Sequence, residues 1–116
     1  MLVKTFREII AWQKAHALAL EVYRVTEDFP RSELFGLTSQ MRRAAVSPPS
    51  NIAEGFKRKT KNDSLHFYNI AEGSLEELKY QLLLARDLGY ISEAIYQKLH
   101  ALAEETGKPI NCWKKI

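Results

Sequence analysis

The spacing of apolar residues predicts an all-α fold, an antiparallel up-and-down four-helix bundle with a Pro-kinked second helix. Three observations carry this. Apolar side chains recur three and four residues apart along nearly the whole chain, the repeat of one helix face. No run of β-branched residues alternates for long enough to make a strand. Breaks at Phe29-Pro30, around Gly55 to Thr60 and at Gly89 leave four helical stretches with short connections, which favours antiparallel neighbours.

The first helix is expected from about Phe6 to Asp28. Ile9, Trp12, His16, Ala19 and Tyr23 form one stripe, and Ala11, Ala15, Leu18, Val22, Val25 and Phe29 a second. The stripes lie side by side, so they merge into a face wide enough for burial on two sides. Phe29-Pro30 ends the helix, because the residue before proline avoids the α region.

The second helix is expected to begin after Ser32, an N-cap type, with Glu33 at the positive end of the dipole. Leu34, Leu37, Met41 and Ala44 carry its apolar spacing. Pro48 and Pro49 each remove a backbone donor, and an interior proline costs about 3 kcal/mol. The helix is expected to kink there, or to stop and restart with Ser47 as a new cap. Gly55 and the FKRKT that follows end the element.

The third helix is expected from about Lys61 to Leu88, with Thr60 and Asp63 resembling a capping box and Gly89 as the C-cap. Leu75, Leu78, Leu82 and Ala85 form its main stripe. Gly73 lies mid-helix, where close approach of another backbone would account for it. The fourth helix starts after Ser92 and runs through Ile95, Leu99, Leu102, Thr106, Pro109 and Trp113. Gly107 and Pro109 are expected to bend or break it, and Lys114 and Lys115 suit its negative end.

One domain covering residues 1–116 is expected, long enough to bury a core without staples, which chains below roughly 70–80 residues usually need. Hydrophobic and charged contents of 46% and 27% are those of a soluble globular chain. The single cysteine, Cys112, excludes an intrachain disulfide and a Cys-based zinc cage. The start, MLVKTFREII, lacks the pattern of a signal peptide, and uncharged runs fall far short of the ~18 residues of a membrane span. A cytoplasmic protein with no membrane partner is the expectation.

The net charge is only +3, so its distribution matters more. Residues 40–61, QMRRAAVSPPSNIAEGFKRKTK, hold six bases against one acid. Residues 62–107 hold eight acids against three bases. Arg42, Arg43, Lys57, Arg58, Lys59 and Lys61 are the candidate nucleic-acid-binding residues, since Lys and Arg hold phosphates by charge with little regard to sequence. Phe56 is the nearest aromatic and could stack on a base or belong to the core. The other reading spends these charges on a solvated face and on salt bridges to the acidic third helix of a neighbour.

The chain resembles the 23S rRNA intervening-sequence proteins. The resemblance rests on AWQKAHALALEVY (11–23), FP (29–30), ELFGLTSQMRRAAVS (33–47), PSNIAEG (49–55), IAEGSLEEL (70–78) and LGYIS (88–92). It implies an up-and-down four-helix bundle, assembly as a homo-oligomeric ring (often a pentamer), and a likeness to nucleic-acid-binding accessory proteins of diversity-generating retroelements. For most members of that family no biochemical activity is established, and no enzymatic activity and no cofactor are expected here. Ser50, Asn51, Glu54, Ser74 and Glu77 are the polar residues of the matching motifs. Two departures stand out: Pro48, where the family usually has an aliphatic residue, and the Gly107-Lys108-Pro109 segment, less helical than the family's usual ending.

Asn51 and Glu54 admit two readings. They form a polar site at the kink, or Asn51 caps a restarted helix while Glu54 reaches back. Asn51 could also satisfy backbone groups freed by Pro48 and Pro49. Ser74, Glu76 and Glu77 are expected to pair with Arg42 or Arg43, in the core or between subunits. Trp12, Tyr23, Phe67 and Tyr68 are expected in the core or an interface. A di-metal bundle needs two Glu-x-x-His pairs, and only Asp63-x-x-His66 comes close, so no metal is expected. No Ser-His-Asp set, phosphate-binding loop or activated thiol is present, so no catalytic residue is assigned. The expected function is non-catalytic binding of RNA or DNA by a homo-oligomeric ring, with a structural or protein-interaction module as the alternative.

Overall fold

The computed structural model describes the backbone of residues 3–114 and the side chains of residues 3–110. The expectations for Cys112, Trp113, Lys114 and Lys115 lie outside the described side chains. Helix α1 spans Ile10–Thr26, α2 Leu37–Lys57, α3 Lys61–Asp87 and α4 Glu93–Lys114, with short 3-10 turns at Phe6–Glu8 and Arg31–Glu33. Each helix packs on the next and α4 closes on α1, while α1 and α3, and α2 and α4, make no contact among the described residues. This is the square of an up-and-down bundle. The long dimension is 44 Å. At 1.5 Å per residue α3 is about 40 Å long, so it runs the whole length.

The predicted apolar faces form the core. Ala11, Ala15, Leu18 and Val22 of α1, Met41, Ala44 and Ile52 of α2, and Leu75, Leu78, Leu82 and Ala85 of α3 are buried in one shared cluster. Leu99, Ala103, Thr106 and Ile110 complete it from α4. The first stripe of α1 is only partly used: Trp12 is half-buried and stacked on His16 at 5.0 Å, and Tyr23 is exposed.

Local capping differs from expectation at α2 and agrees at α3. Helix α2 begins after Gly36, so Ser32 does not cap it. The Glu33 carboxylate does so from the preceding 3-10 turn, accepting a hydrogen bond from the Leu37 amide at 3.1 Å and another from the Tyr90 hydroxyl at 2.9 Å. The second bond ties the start of α2 to the α3–α4 turn. Thr60 caps α3 by accepting from the Asp63 amide, and Ser92 caps α4 by accepting from that of Ile95. Gly89 adopts φ +80, a left-handed conformation that ends α3 and lets Tyr90 donate back to the Ala85 carbonyl.

Two expected breaks are absent. Helix α2 stays helical through Pro48 and Pro49, so Ser47 caps nothing and no restart occurs. Both rings are buried, and packing overrides local propensity there. Helix α4 likewise continues through Gly107 and Pro109. Helix α2 does end where expected, at Lys57 within the Gly55-FKRKT segment, with Gly55 itself still helical. A Cβ at Gly55 would lie 2.4 Å from the Tyr68 ring of α3, so its lack of a side chain is a packing requirement. Burial there raises the Tyr68 pKa above its ordinary value. Gly73 is the reverse case: a Cβ there would meet nothing within 4 Å, so no neighbouring backbone explains it.

These two glycines predict opposite outcomes in urea denaturation. Gly55→Ala should lower stability by about 1–3 kcal/mol through overpacking. Gly73→Ala should raise that of the folded monomer by up to about 1 kcal/mol, because an exposed helical glycine gains from a methyl group.

Candidate nucleic-acid interface

The basic run of the sequence does not form one patch. Arg43 lies near the start of α2 and Lys57 at its end. At 1.5 Å per residue they are about 21 Å apart along the helix. Arg42 and Arg43 therefore belong to one end of the bundle, and Lys57, Arg58, Lys59 and Lys61 to the other, on or beside the α2–α3 turn.

The six bases also differ in what they touch. Arg42 is half-buried, donates from Nε to the Thr26 hydroxyl at 2.9 Å and stacks its guanidinium 4.8 Å from the centre of the Tyr23 ring. Thr26 is buried and donates in turn to the Val22 carbonyl at 2.7 Å. Arg42 thus joins α2 to α1. Arg58 pairs with Glu54 at 2.8 Å and lies 4.5 Å over the Phe67 ring. Arg43, Lys57 and Lys59 are exposed and make no ion pair or side-chain hydrogen bond among the described residues. Lys61 is exposed at the first position of α3.

The motif polar residues split as well. Asn51 sits inside α2 and donates to the Ser47 carbonyl at 2.9 Å and to the Ser47 hydroxyl at 3.0 Å. It is not a cap, and its amide does not reach the Ala44 and Ala45 carbonyls that the two prolines deprive of helical donors. Glu54 reaches forward to Arg58, not back. Ser74 donates to the Ser47 hydroxyl at 2.7 Å, joining α3 to α2. Glu76 pairs with Lys79, and Glu77 accepts from Gln81. Within the chain, then, the expected pairing of Ser74, Glu76 and Glu77 with Arg42 or Arg43 gives way to shorter-range partners on α2 and α3. Ser50 is exposed. Ser47, Ser74, Arg43 and Glu77 do line one shallow cleft of about 310 Å³ between α2 and α3. Gln81 was not singled out by the sequence: it is 3% exposed, and its carbonyl oxygen has no hydrogen-bond partner among the described residues.

Two larger grooves flank these residues. One, of about 710 Å³, runs over the start of α2 between Tyr23, Leu34, Phe35, Arg43 and Val46. Phe35 is 92% exposed there, whereas Phe56 is half-buried against the core, the second of the two readings its position allowed. Composition carried no sign of this, because Phe35 continues an apolar run into Leu37 and only the 3-10 turn throws it outward. The other groove, of about 460 Å³, lies between α3 and α4 and is lined by Gly73, Gly107, Glu72, Glu76, Lys79 and Glu104 among others. Lys79 bridges Glu76 and Glu104, each at 2.8 Å. Burial lowers the Lys79 pKa, but its hydrogen bonds to Glu104 and Glu76 outweigh that and leave it raised. The same bond to Lys79 holds the Glu104 pKa below its ordinary value.

Among the described residues no group of three His, Cys, Asp or Glu side chains could hold a metal ion, and no helix is long and apolar enough to cross a membrane. The fold and its surfaces define a four-helix bundle with a divided basic face. Residues 7–112 match the 23S rRNA-intervening sequence proteins, and the chain belongs to that family. It is also similar to a solved structure from Bacteroides thetaiotaomicron VPI-5482, described as a protein of unknown function from the S23 ribosomal protein family. The two superpose with a TM-score of 0.85 at 21% identity, over 92% of this chain and 100% of the other. That likeness is one of fold. The curated proteins hold no match.

The Lys79–Glu104 bridge predicts a pH dependence. A depressed carboxylate pKa contributes stability that is present above the unfolded-state pKa and lost as pH falls through the folded one. The raised Lys79 contributes below its unfolded-state pKa and is lost only at strongly alkaline pH. Thermal melts of wild type and Glu104→Gln from neutral to acidic pH should show the wild-type advantage shrinking through the carboxylate range.

Proposed function

We propose that this chain is a non-catalytic, cytoplasmic RNA-binding protein that works as a homo-oligomeric ring, a ring of five being what the family likeness implies, and that the α2–α3 turn holds RNA phosphates. One observation carries the reading. Lys57 and Lys59 stand exposed at one end of the bundle, unpaired among the described residues, beside Arg58 and Lys61. The backbone that carries them spans a three-residue connection between two helices, so little backbone freedom is lost on binding. Repeating these charges around a ring raises avidity with no new contact.

The second reading, a module that binds protein and no nucleic acid, is favoured by a different observation: Phe35, Leu34 and Val46 are all exposed on one side of α2.

Fluorescence anisotropy of a labelled structured RNA at low and moderate salt separates the two. Wild type should bind with a steep salt dependence, because neutralised phosphates release counterions. Lys57→Ala with Lys59→Ala should weaken binding across sequences and reduce the salt slope by about 2 per subunit engaged, with mass in solution unchanged. Absence of binding at low salt by assembled protein would leave the interaction module as the function. Arg58 is a poorer probe, since replacing it also removes its contacts with Glu54 and Phe67.

A further inference from the structure

We propose that the ring assembles head to tail, with Phe35 of one copy seated in the α3–α4 groove that Gly73 and Gly107 leave open on the next. This rests on the self-assembly part of the function proposed above, and it names the two faces that meet.

The first face is the start of α2. Phe35 is 92% exposed, and Leu34, Val46 and Tyr23, at 48%, 41% and 43%, surround it. Contiguous exposed apolar surface of this kind marks an interaction site. Phe35 is not on a loose loop. Leu34 donates to the Arg31 carbonyl and Gly36 to that of Glu33, so the turn that carries the ring is hydrogen-bonded on both sides. A projecting aromatic on a rigid turn binds with little ordering cost.

The second face supplies a space that nothing inside the chain requires. A glycine inside a helix lowers its stability, and a Cβ at Gly73 would meet no atom within 4 Å. Gly107 opens the same groove from α4. A Cβ there would meet only the Leu75 side chain, at 3.8 Å. The result is a groove of about 460 Å³ with bare backbone on two sides and lysine stems at its edge, room for one aromatic ring.

Charge favours the same match. The face around Phe35 carries Arg43, unpaired among the described residues. The receiving groove carries Glu72, Glu76 and Glu104 against Lys79 and Lys108, three acids to two bases, so its excess charge is negative. Because the two faces differ, the contact is heterologous. Repetition of such a contact generates a closed ring or an open fibre, whereas Phe35 packed on Phe35 would stop at a two-fold dimer.

Two variants, each at a position free of core contacts, test this by light scattering coupled to size-exclusion chromatography, with circular dichroism melts as the control for folding. Phe35→Asp removes the projection and keeps the groove. Gly73→Leu fills the groove and keeps the projection. Wild type should be a multi-subunit species and each variant alone a monomer. An equimolar mixture should give a one-to-one heterodimer and nothing larger, since only one productive contact survives. If wild type is assembled and either folded variant keeps its mass, or the mixture stays monomeric, this pairing of faces is wrong while the ring reading stands. If wild type is itself a monomer, the ring reading and this inference both fail.

Discussion

The α2–α3 seam is the contact on which the rest of the bundle depends. It is the most extensive helix pair among the described residues, and α2 has little local support of its own. Two consecutive prolines leave the Ala44 and Ala45 carbonyls without helical donors, and Ser47, Ser50 and Asn51 all have a low preference for helix interiors. Packing supplies what propensity withholds. Pro48, Pro49, Ile52 and Gly55 are buried, the Tyr68 ring lies against Gly55, and Ser64 donates to the Gly55 carbonyl at 2.8 Å. The Asn51–Ser47–Ser74 chain of hydrogen bonds crosses the same seam. Of the motif polar residues, Asn51 and Ser74 therefore help to join α2 to α3, through the Ser47 hydroxyl.

The seam also divides the positive charge. Had α2 broken at the prolines, Arg42 and Lys57 could have folded onto one surface. An unbroken helix of 21 residues holds its ends apart. Arg42 is then drawn into the α1 contact through Thr26 and Tyr23, and Arg58 into Glu54 and Phe67. A guanidinium that makes both a hydrogen bond and a ring contact is held more firmly than an exposed ion pair, which is worth little. What remains for a polyanion is the α2–α3 turn, and what remains beside Arg43 is an apolar groove. The two ends of one helix thus present different surfaces, exposed lysines at one and an apolar groove at the other.

Much of the fold was legible from residue spacing alone. Leu75, Leu78, Leu82 and Ala85 repeat at three and four, and all four are buried. Thr60, Ser92 and Gly89 punctuate the chain as caps, because capping chemistry acts over only three or four residues. Legibility failed where a distant contact outweighed the local rule. Pro48, Pro49, Gly107 and Pro109 read as kinks or breaks, and the helices run through all four without a break, while Gly55, read only as part of a helix end, is also a contact for Tyr68.

The candidate site followed the same division. Composition identified every basic residue near the α2–α3 turn, because charge is a property of the residue itself. It could not tell that Arg42 is tied to Thr26, that Phe35 projects while Phe56 packs inward, or that Gly73 opens onto nothing. Those facts depend on which residues far apart in the chain become neighbours. The sequence by itself determined the helices, their apolar faces and the sign of each region's charge, since these rest on local spacing and residue chemistry. Only the tertiary structure decided which charges, rings and empty spaces face outward, since that depends on how four helices share one core.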